Sequence, residues 1–298
     1  MGSSIVPYPT EAEARDALDV RHANTEAARL VQRFYETKST GDVEATMALV
    51  DPAFTNYTDA TLSWGLDGFD ALRDVWARFM PSWGAGRSYP TRIVGDVVDG
   101  DGSVVVCFTD TPELFGDEIH IHGALDFRAG LLTREVDYWD ASDWSAEAWG
   151  ALVQPEPDTP AALARGAEHV DPRMREVATA LHAAVSAGDA DAAAGLLGYD
   201  AVYEDVALRL QLVGANAIHR YLARTLTEAP FGVGVQLGHL AGGRLGGGLE
   251  WARDSGPGRS GMTVLELGET GRIQRATVVW NGRDLPAGLR ARLAPARG

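Results

Sequence analysis

Apolar residues recur every three or four positions in two widely separated stretches of the chain. Ala27, Leu30, Val31, Phe34 and Tyr35 follow the i, i+3, i+4, i+7, i+8 spacing that lines one side of a helix. Met174, Val177, Ala178, Leu181 and Val185 repeat the pattern, and Pro172 suits the first turn, where a missing N–H costs nothing. Gly41 and Gly188 stand where a glycine stops such a helix, and Asp42 and Asp189 are suited to cap a short helix after it. Phe69, Leu72, Val75, Trp76, Phe79 and Met80 predict a third amphipathic helix, with Ile218, Tyr221, Leu222 and Leu226 as its counterpart. Strand-like runs then take over. Strands are predicted over 103–111, 118–127 and 132–139, separated by turns at Phe115-Gly116-Asp117 and Ala129-Gly130. Segments 247–254, 261–267 and 273–280 do the same in the second half.

The two halves are an internal repeat. Gly41-Asp42 matches Gly188-Asp189 at an offset of 147, and Tyr57-x-Asp59 matches Tyr203-x-Asp205 at an offset of 146. Gly68 and Gly214 share that second offset. Residues 1–150 are read as one domain, 151–170 as a Pro-rich linker built on QPEPDTP, and 171–298 as a second domain. The polar tail after Trp280 is expected to pack little. The glycine-rich AGGRLGGG at 241–248 follows no phosphate-binding fingerprint and reads as a flexible hairpin.

Composition narrows the function. With 26 basic against 42 acidic residues, the net charge of −16 repels nucleic acid and anionic lipid, so neither is an expected partner. One cysteine, Cys107, excludes a disulfide framework and multi-cysteine metal sites. Apolar runs such as 104–108 fall far short of the roughly 20 residues of a membrane span. The opening MGSSIVPYPT has neither a basic start nor an apolar core, so a cytoplasmic setting is expected.

Three helices followed by a curved antiparallel sheet, twice, resemble the nuclear transport factor 2-like superfamily. The likeness is to its SnoaL-like polyketide cyclase, ketosteroid isomerase and limonene-epoxide hydrolase branches. It is carried by the helix–Gly-Asp–helix start, the Tyr-x-Asp strand, the G-x-x-A-[IL] start of the third helix and the strand ending Asp137-Tyr138-Trp139-Asp140. It implies an α+β fold of two tandem cone-shaped α+β-barrel domains, each with three helices packed on a curved antiparallel sheet and a pocket between them.

Parity assigns strand residues to faces. His120, His122, Ala124 and Asp126 share one face of their strand; Thr133, Glu135, Asp137 and Trp139 share one face of the next. The resemblance then implies which residues face the pocket. His122 falls where ketosteroid isomerases place an oxyanion-stabilising acid, and Asp59 where they place the base. Tyr57-Thr58-Asp59, Phe108-Thr109-Asp110 and the Asp137 strand resemble the catalytic segments of limonene-epoxide hydrolases, with Phe108 standing where that family has arginine. The expected catalytic set is Asp110, Asp137, Asp59, Tyr57 and His122. Trp139, Phe108, His120, Phe34 and Trp76 are expected to contact substrate.

Such a set makes chemical sense. Two carboxyl groups in a dry cavity do not both ionise, so one is an acid while the other is a base. The leading expectation is a cofactor-independent enzyme, free of metal, that opens an epoxide on a hydrophobic polyketide- or terpenoid-like molecule. There Asp110 protonates the ring oxygen and Asp137 deprotonates a water or internal hydroxyl. The alternatives are a cyclase or isomerase using Asp59 as base, and a binding protein without turnover. Counted from Gly271 as from Gly130, Thr263 takes the place of His122 and Val278 that of Asp137, while Glu250 or Asp254 stands near that of Asp110. The first domain is therefore expected to carry the reaction. The second covers its sheet as an intramolecular pseudo-dimer, with further homo-oligomerisation left open.

Overall fold

A computed structural model describes residues 11–53, 56–154, 168–256 and 258–294. Most of the predicted linker, 155–167, lies outside them. The first half contains β1 (Asp19–Ala23), β2 (Asn56–Asp59), β3 (Trp64–Asp67), β4 (Ser88–Val98), β5 (Asp101–Asp110), β6 (Ile119–Arg128) and β7 (Leu131–Tyr138). The second contains β8 (Leu197–Asp205), β9 (Leu210–Val213), β10 (Gln236–Gly243), β11 (Gly246–Ala252), β12 (Ser260–Leu267) and β13 (Ile273–Trp280). The strand orders are β1-β4-β5-β6-β7-β2-β3 and β10-β11-β12-β13-β8-β9. Apart from β1, which adds in parallel to the edge of β4, the two orders coincide. In each half the Tyr-x-Asp strand lies parallel to the last strand of the meander. The architecture is thus two tandem α+β cones.

The helices form where the pattern predicted. Helix Thr25–Lys38 is capped by Asn24, which accepts from the Ala27 N–H at 2.9 Å, and it buries Ala27, Leu30, Val31, Phe34, Tyr35 and Lys38. Asp42 and Asp189 cap the short helices, and Gly188 takes the left-handed conformation (φ 76°) that ends helix Pro172–Ala187. Helices Phe69–Phe79 and Ala215–Thr225 complete the two sets. Each set closes over the concave face of its own sheet and encloses its own apolar core.

The convex faces of the two sheets pack on each other. Val94, Val105, Ala124, Val136 and Tyr138 meet Ala241, Ala252, Met262, Val264 and Val279 in a third apolar cluster. The glycine-rich run belongs to this contact: it is the hairpin expected from the sequence, formed by β10 and β11, and it is packed against the first sheet. A Cβ on Gly248 would stand 2.7 Å from Val105 Cγ2, and one on Gly243 would strike the Asp96 side chain at 2.6 Å or closer. Glycines there allow the second sheet to approach the first. Buried charge pairs cross the seam: Arg134 holds Glu250 at 2.8 and 2.7 Å, and His239 lies 2.9 Å from Asp126. Arg92 reaches Glu266 at 2.6 Å.

The tail after Trp280 packs closely, contrary to expectation. It forms helix Ala287–Leu293, buries Leu285 and Leu293, and bonds across the domains through Arg283 to the carbonyls of Ala141 and Trp144. Leu and Arg stems supply the apolar surface that the sequence seemed to lack there. Among the described residues no helix is long and apolar enough to cross a membrane.

Candidate active site

The concave side of the first sheet holds a pocket. Its wall is apolar in part, from Leu62, Trp76, Phe79, Trp83 and Ile121, and polar in part, from Lys38, Tyr57, Asp59, Asp110 and Asp137. Strand pairing explains the convergence. Asp59 lies beside Asp137 and Tyr57 beside Glu135 in the parallel β2–β7 pair, while Gly123 of β6 lies opposite Asp137. A Cβ on Gly123 would come within 2.7 Å of Asp137 Oδ1, so the glycine opens the space the carboxyl occupies. Asp110 ends β5 on the same face as Phe108.

Lys38 is the residue the sequence reading missed. It is the last residue of its helix and only 7% exposed. Its ammonium lies 5.3 Å from the Phe108 ring centre and 5.5 Å from that of Tyr35. Among the described residues it makes no hydrogen bond or ion pair, so its three donors face the cavity and its carboxyls unengaged. A signal was present: position 38 continues the stripe 27, 30, 31, 34, 35 by one more step of the helical period. Glu135 was also missed as a candidate, although it shares its face with Asp137. It is 1% exposed, and neither of its carboxylate oxygens has a partner.

Electrostatics follow from burial. One lysine faces the carboxyls of Asp110, Glu135 and Asp137 in a medium that disfavours isolated charge. Burial, reinforced by the charges of Glu135 and Asp59, drives Asp137 well above the usual carboxylate range. Glu135 is pushed up to about 7 by burial, against the pull of Lys38. Asp110 is raised by burial, with Lys38 and the Ser88 hydroxyl opposing the rise. Burial alone would lower Lys38, but Asp110, Glu135 and Asp137 outweigh it and hold the ammonium charged. Tyr57 donates from its hydroxyl to Asp137 Oδ2 at 3.1 Å; Oδ1 of Asp137 and of Asp110 are buried without partners.

Asp59 lines the cavity but is already engaged. It accepts from the Trp139 indole N–H at 3.0 Å and from the backbone N–H groups of Thr61 and Leu62 at 2.9 and 2.8 Å. Burial pushes it up to about 6 in spite of these bonds. Its repeat partner Asp205 does the same, accepting from the Trp280 indole at 3.2 Å and the Leu208 N–H at 3.0 Å. Trp139 is anchored by that bond and packed on Trp144.

The histidines are elsewhere. The cavity face of β6 carries Ile119, Ile121 and Gly123, so His120 and His122 project to the opposite side. His122 lies opposite Cys107, whose thiol is lowered to about 7 because His122 and Arg92 outweigh burial. The His120 side chain is 66% exposed and pairs with Glu118 at 2.8 Å. Neither touches the cavity. Phe34 sits in the core behind the wall, 6.0 Å from Trp76, and Phe108 lies beneath Lys38; of the expected contact residues Trp76 stands at the wall itself, and Trp139 reaches it only through its bond to Asp59. Among the described residues no three His, Cys, Asp or Glu side chains are placed to hold a metal ion.

The repeat correspondence needs the same correction. Thr263 pairs with Val278 as Gly123 pairs with Asp137, so Thr263 corresponds to Gly123 and not to His122. The hairpin between the last two strands is one residue longer in the second half, 268–272 against 128–131, and a one-residue slip exchanges the faces. Glu250 faces the seam between the domains, and Arg253 takes the strand position of Asp110.

No protein-family model matches the chain, and no curated protein does. Solved structures similar to it include a putative ketosteroid isomerase from Kribbella flavida, at 19% identity and a TM-score of 0.33, covering 45% of this chain and 92% of that one. A steroid delta-isomerase from Pseudomonas aeruginosa matches at 19% and 0.33, covering 42% and 88%. A putative polyketide cyclase from Xanthomonas campestris pv. campestris matches at 23% and 0.32, covering 41% and 96%. Each spans less than half of this chain.

Proposed function

We propose that the first domain is a cofactor-independent acid–base catalyst for a hydrophobic, polyketide- or terpenoid-like small molecule, and that it opens an epoxide. The observation that carries this reading is the Lys38 ammonium above Phe108. The epoxide hydrolases that the sequence resembles hold two carboxylates together with an arginine on that strand. Here the strand offers a phenylalanine, and a cation from the helix stands over its ring, 5.3 Å from the centre. Burial raises both carboxyls and Lys38 opposes the rise in both; Asp137 is pushed further by the neighbouring Glu135 and Asp59, whereas Asp110 has the Ser88 hydroxyl beside it, so we assign the acid's role to Asp137 and the base's to Asp110, the reverse of the expectation from sequence.

In the reaction Asp137 gives its proton to the epoxide oxygen as the ring C–O bond breaks. Asp110 takes a proton from a water, or from a hydroxyl of the substrate, while that oxygen bonds to the ring carbon. The product is a diol or a cyclic ether bearing an alcohol, and the proton on Asp110 returns to Asp137 through Glu135 and solvent. Tyr57 fixes the Asp137 carboxyl, and Lys38 keeps Asp110 ionised. The enolate alternative asks Asp59 to act as base, and its engagement with Trp139, Thr61 and Leu62 weighs against that. By its place in the fold the second domain does for the first what a second copy would do, covering the convex sheet.

The test is hydrolysis of a panel of neutral alicyclic epoxides in ¹⁸O-labelled water. Wild type is expected to give labelled diol, and Asp137→Asn and Lys38→Met each to lose about 10²–10⁴ in rate while keeping the native circular dichroism. Turnover unchanged in both variants removes the proposal. Absence of epoxide turnover together with enolate proton exchange on a ketone would transfer the site to the isomerase class.

A further inference from the structure

We infer that the second domain holds a binding site of its own, for a neutral, largely apolar small molecule bearing one hydrogen-bond acceptor. Its cone also holds a pocket, lined by Leu181, Val185, Tyr203, Trp251, Ala276 and Val278 among others. Strand register and helical period give the correspondence with the first cavity. Val185 stands for Lys38, Ala276 for Glu135 and Val278 for Asp137. Each charged group has become an aliphatic one, and the space has remained.

What is left polar points to the ligand. Trp251 takes the position of Phe108 and brings an indole N–H that Phe lacks. Its Nε1 is buried without a partner, in a side chain 1% exposed, and so is the hydroxyl of Tyr203, 4% exposed. Both residues line the cavity. A buried donor without an acceptor is costly, and an acceptor arriving with a ligand relieves the cost. Asp205, the acid that remains, is occupied by Trp280 and Leu208. His182, the basic side chain of the lining, is bonded to the Val235 carbonyl at 3.1 Å, so a charged ligand finds no free counter-charge there, whereas a ketone, ester or ether oxygen finds Trp251 and Tyr203. Nothing in this inference depends on the chemistry of the first domain.

The probe is Prodan, a neutral naphthyl ketone whose emission reports polarity and hydrogen bonding, titrated into the full chain. Saturable binding of one Prodan with blue-shifted emission is expected. Trp251→Phe should weaken it about five- to tenfold, the worth of one hydrogen bond, and Tyr203→Phe by a similar or smaller factor. Ala276→Leu, which fills the space with three more carbons, should abolish it; thermal unfolding checks that this variant is folded, and Trp251→Phe carries the test if it is not. Asp137→Asn in the first domain should leave the affinity unchanged, and the anionic 1-anilinonaphthalene-8-sulfonate should not compete. No saturable binding by wild type overturns the proposal. So does equal affinity in Trp251→Phe and wild type, or loss of binding in Asp137→Asn alone.

Discussion

The two cavities share a strand framework, and they differ in what lines them. Tyr57, Asp59 and Trp139 recur as Tyr203, Asp205 and Trp280, with the same indole-to-carboxylate bond. Lys38, Glu135 and Asp137 do not recur. The shared set is what the cone needs: the acid ties the end of one strand and the turn after it to the indole that follows the neighbouring strand. The unshared set is what the proposed chemistry needs: it is unfavourable for folding, and Tyr57, on Asp137, is the one hydrogen-bond partner its side chains have among the described residues. Buried carboxyls without hydrogen bonds and a buried ammonium without an ion pair are expensive. The second domain shows that the same scaffold closes without them. The proposed function is therefore supported by subtraction, with one half of the molecule as the control for the other.

The contrast holds only if both cones are parts of one folded block. Arg134 and Glu250 test this, since each side chain is 1% exposed and they join across the seam. Arg134→Met leaves Glu250 buried with only the Tyr138 hydroxyl, at 3.1 Å. The expected loss is about 3–5 kcal/mol in denaturant unfolding. Arg134→Met combined with Glu250→Leu should recover most of it, because two apolar groups replace both charges. A loss below about 1 kcal/mol in the single variant would mean that the halves fold as independent units, and the control argument would fail.

Much of this was legible in the sequence. Helical stripes, the meander strands and the Tyr-x-Asp repeat placed the elements, and Asp59, Tyr57, Asp110 and Asp137 do meet in one cavity. The histidines were misassigned because parity gives two faces without saying which is concave. The longer second hairpin then misaligned the repeat, so that Thr263 was matched to His122 and not to Gly123. Lys38 escaped notice because a lysine in a helix's last turn reads as a complement to the dipole. β4 and β10 escaped because Pro90 and Gly95 in one, and the glycines of the other, interrupt alternation. Asp59 looked catalytic because a sequence shows a carboxyl and not the three donors already bound to it.

A second prediction sharpens the comparison through pH. Every carboxyl singled out in the first cavity has a raised proton affinity in the fold: Asp59 up to about 6, Glu135 about 7, Asp110 raised and Asp137 well above its usual range. In the second, Asp205 alone is raised, to about 7. A group that binds its proton more tightly when folded stabilises fully below its unfolded pKa, near 4, and that contribution is lost as pH rises through the folded value. Lys38, raised as a base, contributes below its unfolded pKa near 10.4 and does not change in this window. Between pH 5 and pH 8 the first domain should therefore lose more stability than the second, read as amide-exchange protection in each sheet. Asp205→Asn should flatten the second domain's response at a cost of about 1–3 kcal/mol. Asp59→Asn should cost a similar amount yet leave most of the first domain's pH response in place. Protection that does not change between pH 5 and pH 8 in either sheet would show that the cavity carboxyls titrate normally.

The smallest expected effect isolates placement from charge. Gly123 and Thr263 occupy the same position on the two sheets, facing Asp137 in one and Val278 in the other. A methyl group on Gly123 would approach Asp137 Oδ1 to 2.7 Å, Leu125 Cδ1 to 3.1 Å and Phe108 Cε1 to 3.2 Å. Gly123→Ala should thus cost about 1 kcal/mol in stability and push the carboxyl off its present line to Tyr57. Turnover should fall about tenfold, less than removal of the acid would cause, because the group is displaced and not lost. Thr263→Ala, the mirror change, should leave turnover unaltered. If Gly123→Ala keeps full activity with the Asp137 carboxyl shifted in its crystal structure, proton affinity alone matters and the fixed Tyr57–Asp137 geometry does not. If it loses activity while Asp137 stays in place, the glycine serves substrate access instead, and the difference between the two domains lies in the width of the cavity mouth as much as in its charges.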